Sequence, residues 1–157
     1  MKPDMRETIA RAIHESYRTA RATSTNIKDV TMLEWEKLPA SLKESNREQA
    51  DDIFEKLRRI GCTVHKVSRR RVALLTFTKE EIEMMAEMEH ARWNSERLRE
   101  GWKLGKKKDA TNKTSPYLVP WAKLPENVRE WDRETVRKIP ELLAGVGLEV
   151  RLLKQVD

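Results

Sequence analysis

The chain has 157 residues, of which 38% are apolar and 37% are charged. This length is enough for one moderate hydrophobic core or two small fused ones, and the low apolar fraction favours a small, soluble, helix-rich protein with solvated helix faces. No run of 18 apolar residues occurs, and no basic segment followed by an apolar one opens the chain, so we expect neither a membrane partner nor secretion. The lone Cys62 excludes an internal disulfide and favours a reducing, cytoplasmic location.

The net charge is +6, which favours anionic partners such as nucleotides, nucleic acids or acidic proteins. The 32 basic residues are interspersed with 26 acidic ones. Two basic runs stand out, Arg69–Arg71 and Lys106–Lys108. Solvated loops are the stronger interpretation of both runs, with a polyanion patch as the alternative.

The first half of the chain predicts two helices and a hairpin. Residues 5–21 carry apolar side chains at helical spacing, residues 22–29 are a polar loop, and Ser41–Ile60 is an amphipathic helix that ends at Gly61. We expect Ala50, Ile53, Phe54, Leu57 and Ile60 on its buried face. Residues 62–77 predict a β-hairpin around the Arg69–Arg71 run, with residues 72–77 as the second strand.

The second half predicts a long capped helix. Thr78 followed by Glu81 matches a capping box, and the helix should run to about Glu100 and stop at Gly101. An irregular loop, a second amphipathic helix and a closing strand should follow over residues 101–120, 126–146 and 148–153. Pro140 should kink or restart that helix, and the closing strand could pair with Val64–Val67.

The chain contains an internal duplication. Residues 35–64 align without a gap onto residues 121–150 (121 − 35 = 86), and 12 of these 30 positions are identical. Upstream, the offset is 76 (90 − 14 = 76), which pairs His14 with His90 and sets Tyr17 opposite Trp93, so the second copy holds ten extra residues (86 − 76 = 10). We therefore expect two similar modules, residues 1–77 and 78–157, packed as one compact unit.

The second copy carries an ordered set of motifs rich in Trp, Gly and Pro. They are Glu89-His90-x-x-Trp93, Glu100-Gly101-Trp102-x-x-Gly105, Leu118-Val119-Pro120-Trp121 and Ile139-Pro140-x-Leu142-Leu143. With these motifs the second copy resembles the ryanodine-receptor repeat, or RyR domain. The first copy resembles the family more weakly, because it lacks counterparts of Gly101, Trp102, Gly105 and Pro116.

The resemblance implies a mainly helical α+β fold. Two RyR-like repeats would pack with pseudo-two-fold symmetry, each with two main helices and short antiparallel strands. The family occurs as tandem pairs in the cytoplasmic periphery of calcium-release channels and as small soluble domains in bacteria and phages. The resemblance thus implies a tandem protein of bacterial or phage type without channel activity, and binding of an adenine nucleotide or related ligand in a cleft formed by the repeats.

One helix face combines an aromatic ring with a cation in both copies. His90, Trp93 and Arg97 share a face at positions i, i+3 and i+7. The first copy repeats the spacing with His14, Tyr17 and Arg21. An aromatic ring beside a guanidinium can stack on a base and pair with a phosphate. In the alternative, the rings fill the core and the arginine reaches out to solvent.

The segment from Gly101 to Trp121 is the best candidate for a binding surface, because long irregular loops on rigid scaffolds often carry function. It offers Trp102 and Tyr117 for stacking and several lysines for anions: Lys103, Lys106–Lys108 and Lys113. A core role is expected for Trp121, since Trp35 occupies the same place in the copy without the loop. For Trp102, core and ligand roles both stay open.

Two further residues of the second copy have structural interpretations. Asp132 should complement the dipole of the helix that starts near residue 126. Arg133 recurs as Arg47 and should pair with a nearby carboxylate such as Glu130.

The expected function is a non-enzymatic module that binds a small anionic ligand, such as an adenine nucleotide. The candidate ligand-binding residues are His90, Arg92, Trp93, Arg97, Trp102, Lys113, Tyr117, His14 and Tyr17. No phosphate-binding loop, dinucleotide-binding glycine triplet or zinc-ligand spacing is present, so we expect no catalysis, metal or cofactor. The alternative is a protein-interaction or scaffold module, and the third hypothesis is nucleic-acid binding, which the interspersed acidic residues disfavour.

Overall fold

The computed structural model describes residues 3–21, 29–67 and 74–153. The fold is mainly helical with a small antiparallel sheet, as expected for the α+β class. The chain divides into two compact units, one of Met1–Leu75 with Ile139–Asp157 and one of Thr76–Lys138. The units and the predicted repeats differ in their bounds, since the segment from Ile139 onward belongs to the first unit.

Two long helices form the body of the first unit. Helix α1 spans Pro3–Arg21 and α2 spans Ala40–Arg59, so both predicted helices are confirmed. Helix α2 begins directly after Pro39, a position where a missing N–H costs nothing. It stops at Gly61, whose φ of +77° lies in the left-handed region that glycine adopts without strain.

The core of the first unit lies between these helices and a short 3₁₀ helix, Trp35–Lys37. Its buried apolar residues include Ile9, Ala10, Trp35, Leu38, Ala50, Ile53 and Leu57. Phe54 and Ile60, expected on the same face of α2, are half-buried. The periodicity of α2 therefore identified the centre of its buried face and overestimated the width of that face.

The small sheet pairs two distant segments of the first unit. Strand β1, Cys62–Lys66, runs antiparallel to β4, Leu148–Leu152, with Val64 opposite Val150. The predicted closing strand is thus confirmed.

The predicted hairpin is wrong in its described part, since β1 pairs with β4 and Leu74–Phe77 form no strand. Residues 68–73, its predicted tip and the start of its second arm, lie outside the described residues, as does most of the predicted loop over 22–29. The hairpin segment has no Gly or Asn to make a tight turn. Strand β4, by contrast, presents the buried Leu148 and Val150 on alternate positions.

The second unit is built on α3, Lys79–Arg99, and α4, Glu126–Arg137. The capping box is confirmed, because the Thr78 hydroxyl accepts from the Glu81 N–H at 3.1 Å and the Glu81 carboxylate accepts from the Thr78 N–H at 2.8 Å. The predicted interruption at Pro140 is also confirmed. Helix α4 ends at Arg137, and a new helix, α5 (Ile139–Ala144), starts in the first unit with Pro140 in its first turn, where proline is tolerated.

The loop from Gly101 to Pro120 is largely irregular, as expected, but it contains two short strands. Strand β2, Lys103–Leu104, pairs in parallel with β3, Thr114–Ser115, although no strand was expected in this loop. An isolated bridge shows that the chain at Asp109 runs antiparallel to Thr114. The chain therefore turns twice between β2 and β3, which leaves the two strands parallel. No helix in the described part of the chain is both long and apolar enough to cross a bilayer.

Candidate functional site

The two duplicated histidines make the same contact in their own units. His14 Nε2 lies 2.6 Å from the backbone oxygen of Leu33, and His90 Nε2 lies 2.6 Å from that of Val119. Since a carbonyl oxygen only accepts, Nε2 must carry the hydrogen in both rings. Both side chains are buried. Each histidine thus bonds its helix to the segment just before the duplicated tryptophan, which is Trp35 in the first unit and Trp121 in the second.

A second duplicated contact joins an arginine, a glutamate and a tryptophan. In the second unit Arg133 Nε donates to Glu83 at 2.8 Å, and the guanidinium lies 5.8 Å from the ring centroid of Trp121. In the first unit, Arg47 Nε donates to Glu7 at 2.8 Å, and the Arg47 guanidinium lies 5.8 Å from the ring centroid of Trp35. These hydrogen bonds hold the pKa values of both glutamates below their ordinary value.

These contacts bear on the interpretation of Arg133 and Trp121. The predicted pairing of Arg133 with Glu130 is confirmed at 3.3 Å. Trp121 donates its indole N–H to Glu83 at 3.1 Å and is half-buried, in keeping with the expected structural role. Sequence reasoning missed Glu83 as the other partner of Arg133. The offset of 76 that pairs His14 with His90 also pairs Glu7 with Glu83 (83 − 7 = 76), and it could have identified both glutamates.

A cavity of about 550 Å³ lies in the second unit, a volume typical of small-molecule sites. Helices α3 and α4 and the loop from Gly101 to Pro120 supply its walls. We call it the aromatic pocket. Its lining residues are His90, Trp93, Arg97, Trp102, Lys106–Lys108, Ser115, Pro116, Tyr117, Val128, Trp131 and Asp132. Five of the nine candidate ligand residues are therefore brought together, namely His90, Trp93, Arg97, Trp102 and Tyr117.

Arg97 lies against two tryptophan rings of the aromatic pocket. Its guanidinium carbon is 5.8 Å from the ring centroid of Trp93 and 5.1 Å from that of Trp102. Both rings are half-buried and both line the cavity, so each has a face toward the pocket as well as packed surface. Arg97 also donates to Glu100 at 3.0 Å. Glu100 and the two rings therefore hold the guanidinium in place.

The other aromatic side chains extend this lining. The His90 ring stacks on Trp93 with centroids 5.8 Å apart and planes 19° apart. Tyr117 meets Trp131 edge to face at 5.9 Å and 88°. Trp131 is 58% exposed, which leaves much of its ring available to a bound molecule.

Positive charge predominates in the lining. Lys106–Lys108 are exposed, as expected of a solvated loop, but they also line the aromatic pocket together with Arg97. Asp132 contributes a carboxylate, which lies 3.9 Å from His90 Nδ1. This balance favours an anion over a neutral or cationic molecule.

Four candidate residues lie elsewhere. Arg92 donates to Glu89 and Glu96, each at 2.7 Å; burial disfavours its charge, but these carboxylates raise its pKa overall. The Lys113 ammonium donates to the backbone oxygen of Glu100 at 2.9 Å.

The other two candidates belong to the first unit. His14 is buried, and the Tyr17 hydroxyl lies 3.3 Å from Thr31 Oγ1 while the Arg21 guanidinium covers its ring at 5.1 Å. Neither lines the aromatic pocket, whose lining residues all belong to the second unit.

Two lining residues were missed or misinterpreted from the sequence. Trp131 was not a candidate. Ser45 stands at its place in the first copy (131 − 86 = 45), so Trp131, like the loop from Gly101 to Pro120, is specific to the second copy, and that difference could have identified it. Asp132 was expected to complement the dipole of its helix. That interpretation is wrong, because α4 begins at Glu126 and its first turn ends before residue 132. Asp132 lines the aromatic pocket instead.

Helix pairs and a small sheet thus define a mainly helical α+β protein, whose second unit contains an aromatic pocket with cationic side chains in its lining. The family model for the RyR domain matches residues 67–152, more than half of the chain. The chain belongs to the RyR domain family. Among the described residues no group of three or more His, Cys, Asp or Glu side chains could hold a metal ion.

Proposed function

We propose that this protein is a non-enzymatic module that binds a nucleotide or a nucleotide-derived anion in the aromatic pocket. The observation that carries the proposal is Arg97, held against the rings of Trp93 and Trp102 in a cavity that Lys106–Lys108 also line. A base would stack on an aromatic face, and its phosphates would meet the guanidinium and ammonium groups.

The size and chemistry of the aromatic pocket support this choice of ligand. Its volume of about 550 Å³ suits a nucleotide-sized molecule. Stacking of a base on an aromatic side chain contributes about 1–3 kcal/mol, and the sum of several cations favours phosphate over neutral groups. The family resemblance implied a cleft formed by the repeats. We place the ligand in the aromatic pocket, whose lining residues all belong to the second unit.

We further propose that the first unit contains a divergent RyR-like repeat, so that the chain is a tandem pair. Support comes from the histidine–carbonyl contact and the arginine–glutamate–tryptophan contact, which recur at the same distances in both units. Ser45 and Asn46 stand where the second copy has Trp131 and Asp132. The proposal therefore places one ligand in each chain. A cytoplasmic location and a bacterial or phage source remain predictions.

Calorimetry with ADP, ATP, ADP-ribose and cyclic AMP tests the proposal. At least one of these ligands should bind the wild-type protein at one molecule per chain. Arg97→Met should weaken that binding, because it removes the cation that lies against both tryptophans. Arg21→Met is the matched control, since it removes the same charge from the corresponding position of the first copy, where the guanidinium covers Tyr17. No heat from any ligand with folded protein, or equal losses in the two variants, would contradict the proposal.

A second candidate function, docking of a protein partner, is favoured by the exposed apolar side chains of the second unit. Trp131, Leu98 and Leu104 are 58%, 61% and 61% exposed. A pull-down from the source cell would then retain one stoichiometric protein, and Trp131→Ser would release it. Retention of that protein by Trp131→Ser would count against docking at Trp131.

A further inference from the structure

The three consecutive lysines of the aromatic pocket lie on a turn whose backbone is bonded at both ends. We call Lys106–Lys108 the lysine turn. Just before it, the Gly105 N–H donates to the backbone oxygen of Ser115 at 3.2 Å. Just after it, Asp109 and Thr114 exchange two backbone hydrogen bonds, at 2.9 and 3.0 Å. Strand β3, Thr114–Ser115, therefore holds both ends of the turn, and all three lysines line the pocket.

The Thr114 side chain also holds the middle of the lysine turn. Its hydroxyl donates to the backbone oxygen of Lys107 at 3.0 Å. This close approach requires a glycine at position 105, because a Cβ on Gly105 would lie 2.7 Å from Thr114 Cβ. The turn is thus fixed by a side chain that only the glycine admits.

A fixed turn matters because of the charge that it carries. Three adjacent ammonium groups repel one another, so a freely moving loop would spread them into solvent. If only a fraction of the loop conformations presented the lysines to the aromatic pocket, the affinity for an anion would fall by that fraction. Hydrogen bonds that hold the turn in place raise the fraction that is competent to bind.

We infer that Thr114 is a positioning residue, which holds the lysine turn where its ammonium groups meet the phosphates of a bound nucleotide. The inference rests on the proposed function. Thr114 does not line the aromatic pocket, so it acts through the lysines and not by its own contact with the ligand.

Calorimetry with ADP on four proteins tests this role. The proteins are the wild type, Thr114→Val, Thr114→Ser and Thr8→Val. Valine keeps the shape of threonine and removes the hydroxyl, whereas serine keeps the hydroxyl. Thr8 is the matched control, because its hydroxyl also donates to a backbone oxygen, that of Asp4 at 2.8 Å, but in the first unit.

Thr114→Val should bind ADP more weakly than the wild type at about 0.1 M salt. The net contribution of one hydrogen bond corresponds to a loss of about 2- to 12-fold in Kd. The two Kd values should converge as salt rises to about 1 M, because the screening length falls from about 10 Å to about 3 Å and the lysines then contribute little in either protein. Thr114→Ser and Thr8→Val should bind ADP as the wild type does at every salt concentration.

Gly105→Ala reaches the same contact from the other side. Its methyl group should displace the Thr114 side chain and give the same salt-dependent loss. Thermal unfolding shows which variants are folded, and the result for either folded variant decides the role of Thr114.

The outcomes distinguish this inference from the proposed function. If the wild type binds ADP and a folded Thr114→Val or Gly105→Ala binds it equally well, the positioning role is refuted while the proposed function stands. A loss that stays constant with salt, or that Thr114→Ser shares, would also refute the role, because a general defect of the pocket has that result. If the wild type binds none of the nucleotides, the proposed function fails and this inference fails with it.

Discussion

Replacement of Trp131 by serine should weaken nucleotide binding, whereas a similar loss of stability at a surface position outside the aromatic pocket should not. Trp131 lines the aromatic pocket at its exposed rim and contacts Tyr117 edge to face. Serine is the residue that the first copy carries at this position, as Ser45, so it is compatible with the corresponding helix there.

The magnitudes follow from the exposure of the ring. Trp131 is 58% exposed and thus about 42% buried (100 − 58 = 42). An aromatic side chain buries about 200 Å² when fully packed, so about 80 Å² is lost, which corresponds to about 2 kcal/mol of stability as an upper bound. Loss of one base-stacking surface should cost about 1–3 kcal/mol of binding, or about 5- to 150-fold in Kd.

Thermal unfolding and calorimetry with ADP check the two effects separately. Leu98→Ser is the matched control, because Leu98 is 61% exposed on α3 and does not line the aromatic pocket. It should lower Tm to a similar extent and leave the Kd for ADP unchanged. If Trp131→Ser binds ADP as tightly as Leu98→Ser does, the ring is not a stacking surface and the argument from its exposure is refuted.

Two further predictions concern stability. Because the hydrogen bond from Arg133 lowers the pKa of Glu83, its contribution should be present above pH 4.5 and be lost as the pH falls below that value. The free energy of unfolding of Glu83→Gln should therefore be about 1 kcal/mol lower at neutral pH, a modest loss because Glu83 is 43% exposed, and its Tm should approach that of the wild type in acid. The exposed Glu87→Gln is the control. A difference in Tm between Glu83→Gln and the wild type that stays constant with pH would contradict this. Gly101 ends α3 at φ +87°, so Gly101→Ala should cost about 1–2 kcal/mol in chemical denaturation and Gly101→Asn clearly less. Equal costs in the two glycine variants would show that the left-handed backbone is not the cause.

The duplication made several contacts predictable. Positions that recur in both copies, such as His90 and Arg133, make the same contacts in both units, and helical spacing correctly placed Trp93 and Arg97 on one face. Local patterns also located the capping box at Thr78, because capping depends on only a few adjacent residues.

The choice between two predicted partners for β1 and the path of the irregular loop were beyond such reasoning. The sequence offered β1 two partners, the nearby residues 72–77 and the closing strand, which is 86 residues away at the Val64–Val150 pair (150 − 64 = 86). Local alternation cannot distinguish the two. The inward position of Asp132 depends on where α4 begins and how it packs on α3, which periodicity does not determine. For the same reason the sequence could not show that Arg92 is already bound by carboxylates and Lys113 by a backbone oxygen.

The five tryptophans of the chain allow the most direct test of the proposed binding site. Their indole N–H resonances can be followed by NMR while ADP is added. Binding in the aromatic pocket should shift the resonances of Trp93, Trp102 and Trp131 and leave that of Trp35, which is buried in the first unit, in place. If ADP shifts none of the three pocket resonances, or shifts Trp35 alone, the aromatic pocket does not bind the nucleotide.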